Sequence, residues 1–178
     1  KMSAKWTWNK CFPYPKSKRE VLEGLRHYDV VDGLLPSVTT ILSDTKSEEK
    51  QKKLAEWRER VGQDEATRIT DQSGQRGTIM HNYLEGYLKG QNRLDLSPVG
   101  VVAGGMATKV MEEGVFDRLT EIWGSEVVVF YPGLYAGQTD VVGIYDGEQA
   151  IVDFKQSNKP KKREWIDDYF MQSAAYAM

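Results

Sequence analysis

The sequence predicts a mixed α/β (α+β) domain in which helices come first and a small sheet follows, with a final helix packed on it. Three observations carry that prediction. Apolar residues recur at helical spacing from about residue 37 to residue 123. Residues 125–131, "SEVVVFY", and 135–157, "YAGQTDVVGIYDGEQAIVDFKQS", then read as strands, the second hinged at Asp146-Gly147. The last stretch, "REWIDDYFMQSAAYAM", returns to helical spacing. At 178 residues, 40% hydrophobic and 28% charged, the chain is long enough for one core and short for two. It is therefore read as a single domain, 1–178, with an arm at 1–34, a mainly helical part at 35–125, and a sheet-and-helix part at 126–178.

The elements follow in order. Residues 1–34 are aromatic and charged with weak periodicity, which suggests a loose arm or a short strand pair. Ser37, after Pro36, is the expected N-cap of a helix opening at "LPSVTTIL". A charged helix is expected from about Ser47 to Ile69, with Leu54, Trp57, Val61 and Ala66 as its apolar stripe. "DQSGQRGTIMHNYLEGYLKG" reads as a glycine turn and then a helix, with Met80, Leu84, Tyr87 and Leu88 facing the core and Gly90 as the cap. Val110, Val115, Phe116, Leu119 and Ile122 predict another helix over 106–123. The helical pattern at the end stops at Met178 without a capping Gly or Pro, so the natural chain is expected to continue.

Composition excludes several classes. A formal charge of −2 is not that of a polycation, so nucleic acid would be met by local basic patches. One cysteine, Cys11, leaves no intramolecular disulfide and no cysteine-based zinc site. No apolar run approaches the ~20 residues that span a bilayer, and the first residues lack the apolar stretch of a signal peptide.

The hairpin at Asp146-Gly147 raises a question of charge. Asp-Gly between apolar runs is a strong signal for a two-residue turn. Tyr145 then pairs with Glu148, and Asp140 falls opposite Asp153, with Cβ atoms on the order of 5 Å apart. Lys155 points to the same face as Asp153. Opposed carboxylates repel unless a cation lies between them, and a hard divalent ion, Mg²⁺ or Mn²⁺, takes carboxylate oxygen readily. An edge hairpin with its acids turned to solvent is the simpler alternative.

Spacing elsewhere bears on the choice. Gly77-Thr-Ile-Met-His81, Gly137-Gln-Thr-Asp140, Asp153-Phe-Lys155 and Gln172-Ser-Ala-Ala-Tyr176 occur in that order. The series resembles the motifs of the PD-(D/E)XK nuclease superfamily, in particular its RecB-like branch. "LPSVT" opening a helix, "RGTxxH", and Glu126 on the strand before the hairpin make the chain most similar, within that branch, to the mitochondrial genome maintenance exonucleases and their phage-encoded relatives. The resemblance spans about residues 35–178. Thr139, where the superfamily's name has Pro, is common in the RecB-like branch.

The resemblance implies a restriction-endonuclease-like core: a small central mixed sheet with a catalytic antiparallel hairpin, flanked by helices. It implies a metal-dependent DNA nuclease, an exonuclease on single-stranded or end-bearing DNA, in the cytoplasm of a bacterial or phage-infected cell rather than the mitochondrial matrix. Metal ligands would be His81, Asp140, Asp153 and the carbonyl of Phe154, holding Mg²⁺ or Mn²⁺. Lys155 would orient the attacking water and stabilise charge on the phosphate. Gln172 and Tyr176 would act near the phosphate or hold their helix against the hairpin. Glu85, one turn after His81, would hold the imidazole or stand as an exposed acid. Glu126 would support the metal or remain a strand-edge acid. Lys159, Lys161, Lys162 and Arg163 would bind neighbouring phosphates or form a solvated loop. Trp6, Trp8, Phe12 and Tyr14 would stack on bases or pack in the core. DNA is the expected partner, with no membrane and no small-molecule cofactor. An endonuclease, a flap-processing enzyme and a non-catalytic nucleic-acid-binding module are the alternatives.

Overall fold

Pro36 closes a strand and the next residue caps a helix: the Ser37 hydroxyl accepts the Thr40 N–H at 3.0 Å, as the sequence predicts. The computed structural model describes residues 5–178. The chain forms two compact units, one made of the residues up to Asp44 together with Gly114–Met178, the other of Thr45–Glu113.

The first unit holds all the strands found among the described residues. In chain order these are β1 (Thr7–Trp8), β2 (Lys18–Leu22), β3 (Leu25–Val30) and β4 (Gly33–Pro36), followed by helix α1 (Val38–Asp44). After the second unit come a 3₁₀ turn (Val115–Arg118), β5 (Leu119–Tyr131), β6 (Tyr135–Tyr145) and β7 (Glu148–Val152). Another 3₁₀ turn (Arg163–Trp165) and the final helix complete the unit. One sheet has the order β1-β5-β6-β7, mixed because β1 runs parallel to β5 while the other pairs are antiparallel. The other is the three-stranded meander β2-β3-β4. It joins the larger sheet through a cluster of Tyr28, Val30, Leu35 and Ala136, against which Val128 and Phe130 pack. The mixed α/β architecture with a small central sheet is thus present.

The arm is more ordered than its weak periodicity suggests. Apart from the two residues of β1, its strands come from a hairpin at Glu23-Gly24, where both residues adopt positive φ. The expected helix over 106–123 is also corrected. The α-helix stops before Gly114, which adopts the left-handed conformation; a 3₁₀ turn follows, and Leu119–Trp123 belong to β5. β5 carries register irregularities between Leu119 and Glu121 and between Ile122 and Gly124. Each extra residue stretches the two-residue alternation of a strand to a spacing of three, which imitates a helix.

The second unit is helical: α2 (Glu48–Val61), α3 (Gln63–Leu88) and α4 (Pro98–Glu112). The single charged helix expected over 47–69 is broken at Gly62, whose φ of 86° lies outside the helical region. Of its stripe only Ala66, which falls on α3, is buried; α2 buries no residue and Leu54 is exposed. The glycine turn expected before His81 is absent. α3 runs unbroken through Gly74 and Gly77, at a cost of roughly 1 kcal/mol for each relative to Ala. Burial of Met80, Leu84 and Leu88 on one face outweighs that cost. α3 ends with Gln91 N–H bonded to Gly86 O and Gly90 N–H to Tyr87 O, so Gly90 closes it as expected. No helix is long and apolar enough to cross a membrane among the described residues.

Candidate active site

The β6–β7 turn forms at Asp146-Gly147 with φ of 54° and 84°, the two positive values that such a turn needs. The ladder then runs from Tyr145↔Glu148 to Val141↔Val152, the register expected from the sequence. It stops one step short of Asp140 and Asp153. The buried Asp140 carboxylate takes the place of the next backbone acceptor, with its Oδ2 receiving the Phe154 N–H at 2.5 Å. The Phe154 ring fixes that peptide from the other side. It is buried edge-on against Phe116 at 5.7 Å, and Phe116 packs on Trp6 at 5.9 Å. Trp6 is therefore a core residue, whereas Trp8 and Phe12 are exposed.

Across the other edge of β6, Ser125 pairs with Val141 and Val127 with Thr139, which leaves Glu126 opposite Asp140. Glu126 has a φ of 54°, a left-handed conformation that is uncommon outside glycine. Carboxylate oxygens of Glu126 and Asp140 lie within 4.8 Å of each other. Gln138 Nε2 donates to Glu126 Oε2 at 2.6 Å, which fixes the acid without neutralising it. Two carboxylates at this separation repel each other, and a cation between them would relieve the repulsion. Their donor atoms are hard oxygens, which fits Mg²⁺ or Mn²⁺ rather than a thiophilic metal.

Asp153 and Lys155 form an ion pair, with the Lys155 ammonium 5.6 Å from the centre of the Tyr169 ring. Tyr169 belongs to α5 (Asp167–Ala177), which also places Gln172 and Tyr176 one turn apart and buried. Gln172 Nε2 donates to the Tyr176 hydroxyl at 2.8 Å. The Tyr176 ring lies where a side chain of residue 137 would be, because a Cβ on Gly137 would fall 2.2 Å from it. Burial chiefly pushes the Tyr176 phenol up to about 12, opposed by the Gln172 hydrogen bond and reinforced by the charges of Asp153 and Asp140. The Tyr135 hydroxyl donates to Ala175 O at 3.2 Å and ties the helix to β6.

The remaining candidates divide. Lys159, Lys161, Lys162 and Arg163 are all exposed, just before α5. His81 lies half-buried on α3 of the helical unit. Glu85, one turn on, is engaged on both oxygens by Lys89 and by Arg93 Nη1, the latter at 2.6 Å. Burial alone would raise its pKa, and those two cations more than reverse the effect, leaving it below the usual carboxylate range. Sequence reasoning passed over Gln138, whose signal was its place between Gly137 and Asp140. Tyr169 is a further residue beside the site, its ring carrying Lys155 and Lys161.

No protein-family model matches the chain. It is similar to mitochondrial genome maintenance exonuclease 1 of Mus musculus, 32% identical over 168 residues, which cover 85% of this chain and 47% of that protein. It is also similar to mitochondrial genome maintenance exonuclease 1 of Homo sapiens, 27% identical over 133 residues, covering 72% of this chain and 38% of the human protein. The chain thus spans less than half the length of the curated relatives it matches, and its similarity to them points to a nuclease family.

Proposed function

We propose that the chain carries the catalytic core of a metal-dependent DNA nuclease of the PD-(D/E)XK superfamily, RecB-like branch, acting as an exonuclease on single-stranded or end-bearing DNA. The observation that carries the proposal is the convergence of two acids from neighbouring strands, Glu126 of β5 and Asp140 of β6, beside the Asp153–Lys155 pair. Similarity to proteins named as exonucleases supports the reaction class. Asp140, Asp153 and the Phe154 carbonyl hold Mg²⁺ or Mn²⁺, with His81 as a further ligand by motif order and Glu126 as a supporting acid. Bound there, the ion supplies Lewis acidity to the phosphate and makes a water easier to deprotonate.

The chain's own groups do the rest. Asp140 is aimed by the Phe154 N–H. The Lys155 ammonium, steadied by Asp153 and by the Tyr169 ring, orients the attacking water and offsets charge building on the phosphate oxygens. Gln172 and Tyr176 keep α5 against β6 and line the approach of the phosphate. The test is digestion of 5′- and 3′-end-labelled single-stranded, duplex and circular DNA with Mg²⁺, with and without EDTA. Linear strands should shorten from an end, circles should survive, and EDTA should stop the reaction. Undiminished cleavage in EDTA excludes the metal, and cut circles replace the exonuclease reading by an endonuclease.

A further inference from the structure

Between the Asp153–Lys155 pair and α5, cations and aromatic rings alternate. Trp165 is 57% exposed and Phe170 51% exposed. Each has a cation on it: the Lys162 ammonium lies 5.4 Å from the Trp165 ring centre, and the Arg163 guanidinium lies 4.0 Å from that of Phe170. Tyr169 carries two, Lys161 at 4.8 Å and Lys155 at 5.6 Å. A single exposed aromatic needs no explanation. Three rings and four cations interleaved in one short segment of a chain with net charge −2 form a surface of specific chemistry.

We propose that Lys159–Phe170 is a single-strand platform: Trp165 and Phe170 stack on unpaired bases while Lys159, Lys161, Lys162 and Arg163 follow the backbone phosphates. The proposal rests on the nuclease reading above and names how its substrate is selected. Base faces are available to a ring in a single strand and are covered in a duplex. Two of the cations have acidic partners, Lys162 with Glu164 at 3.9 Å and Arg163 with Asp167 at 2.5 Å. Exposed pairs of this kind are weak and give way to phosphate. Lys159 has no ion pair among the described residues, and its ammonium is exposed. Because one Tyr169 ring holds both Lys161 and Lys155, a strand lying on the platform is delivered to the lysine beside Asp153.

The test is fluorescence anisotropy of labelled oligo-dT and of a duplex of equal length, in EDTA so that nothing is cleaved. Trp165→Leu and Phe170→Leu keep apolar bulk at exposed positions and should melt like wild type. Each should weaken oligo-dT binding about tenfold while changing duplex binding by less than about twofold. Lys161→Gln should reduce the slope of log affinity against log salt by about 0.7 on the single strand. Equal losses on single strand and duplex, loss on neither, or a wild type that does not bind oligo-dT overturns the platform. Mg²⁺-dependent hydrolysis of bis(p-nitrophenyl) phosphate, an ester that presents no nucleobase to the rings, is read in parallel on the wild type. A wild type that binds oligo-dT through these rings and never hydrolyses the ester refutes the nuclease reading and leaves the platform standing.

Discussion

Gly137→Ala is the sharpest perturbation of the candidate site, because it adds one methyl group and no charge. Its Cβ would fall 2.2 Å from Tyr176 Cε1, 2.6 Å from Cζ and 2.7 Å from the hydroxyl oxygen. Carbon atoms in contact settle at about 3.5–4.0 Å, so the ring must retreat by more than about 1 Å. It is poorly placed to do so: Tyr176 is buried, its hydroxyl is held by Gln172, and its helix is tied to β6 through Tyr135 and Ala175. Overpacking of this kind costs about 1–3 kcal/mol, and losing the Gln172 hydrogen bond adds about 1 kcal/mol. Gly137→Ala should therefore destabilise the protein by about 2–4 kcal/mol, which for a chain of this size lowers Tm by about 5–15 °C.

Thermal unfolding of a double-mutant cycle isolates the cause. On a Tyr176→Ala background the methyl group meets empty space, and the same substitution should cost less than about 0.5 kcal/mol. A Gly137→Ala variant as stable as wild type, or equally costly with and without the Tyr176 ring, would refute the packing described for α5 on β6. DNA cleavage by Gly137→Ala should fall with stability, since the displaced ring is the one coupled to Asp140 and Asp153.

Other expectations are tested alongside. Asp140→Asn keeps an acceptor for the Phe154 N–H and removes one of two close charges, so in EDTA it should melt no lower than wild type. Mg²⁺ should raise the wild-type Tm and leave the Asn variant's unchanged, and equal shifts in both would remove Asp140 from the metal site. Lys155→Ala should abolish hydrolysis of labelled DNA while costing at most about 1 kcal/mol, because its pair with Asp153 is partly exposed; full activity would exclude the lysine from the mechanism. The Tyr176 phenol is neutral when protonated and raised by burial from 10 to about 12, so the folded state is favoured below pH 10 and loses that advantage as pH rises towards 12. Tyr176→Phe should flatten the alkaline fall in stability by about 2–3 kcal/mol over that window, and an identical pH–Tm profile would contradict the burial.

What the sequence made legible was whatever rests on local chemistry. Asp146-Gly147 set the turn and thereby the whole β6–β7 register, and Ser37 and Gly90 marked helix ends, because each acts through neighbours in the chain. Glycine misled in both directions. Gly62 broke a helix that charge periodicity ran straight through, while Gly74 and Gly77 were tolerated because burial of α3 outweighed them. Leu119 and Ile122 imitated a helix since irregularities in β5 stretch its alternation. At the site, Asp140 stood out as an acid among apolar strand residues, whereas its proximity to Glu126 depends on the register of β6 against β5 and on a backbone conformation that no propensity foretells.

Three departures from regular sheet geometry meet around one stretch of β6. Glu126 adopts a left-handed backbone, at a cost of roughly 1–2 kcal/mol for a residue with a Cβ. Opposite it, the β6–β7 ladder ends early and the Phe154 N–H goes to a side chain instead of a carbonyl. Next along β6, Gly137 gives up a side chain so that Tyr176 can occupy its space. The hydrophobic cluster of Tyr28, Val30, Leu35 and Ala136 is satisfied by ordinary apolar contact and calls for none of the three. Local rules broken together at one place are the mark of a site whose geometry serves function. Here they bring two acids within 4.8 Å and hold one by a peptide N–H and the other by an amide, both donors without charge. Neutral donors fix carboxylates in position without cancelling their attraction for a cation, which is the combination a divalent-ion site requires.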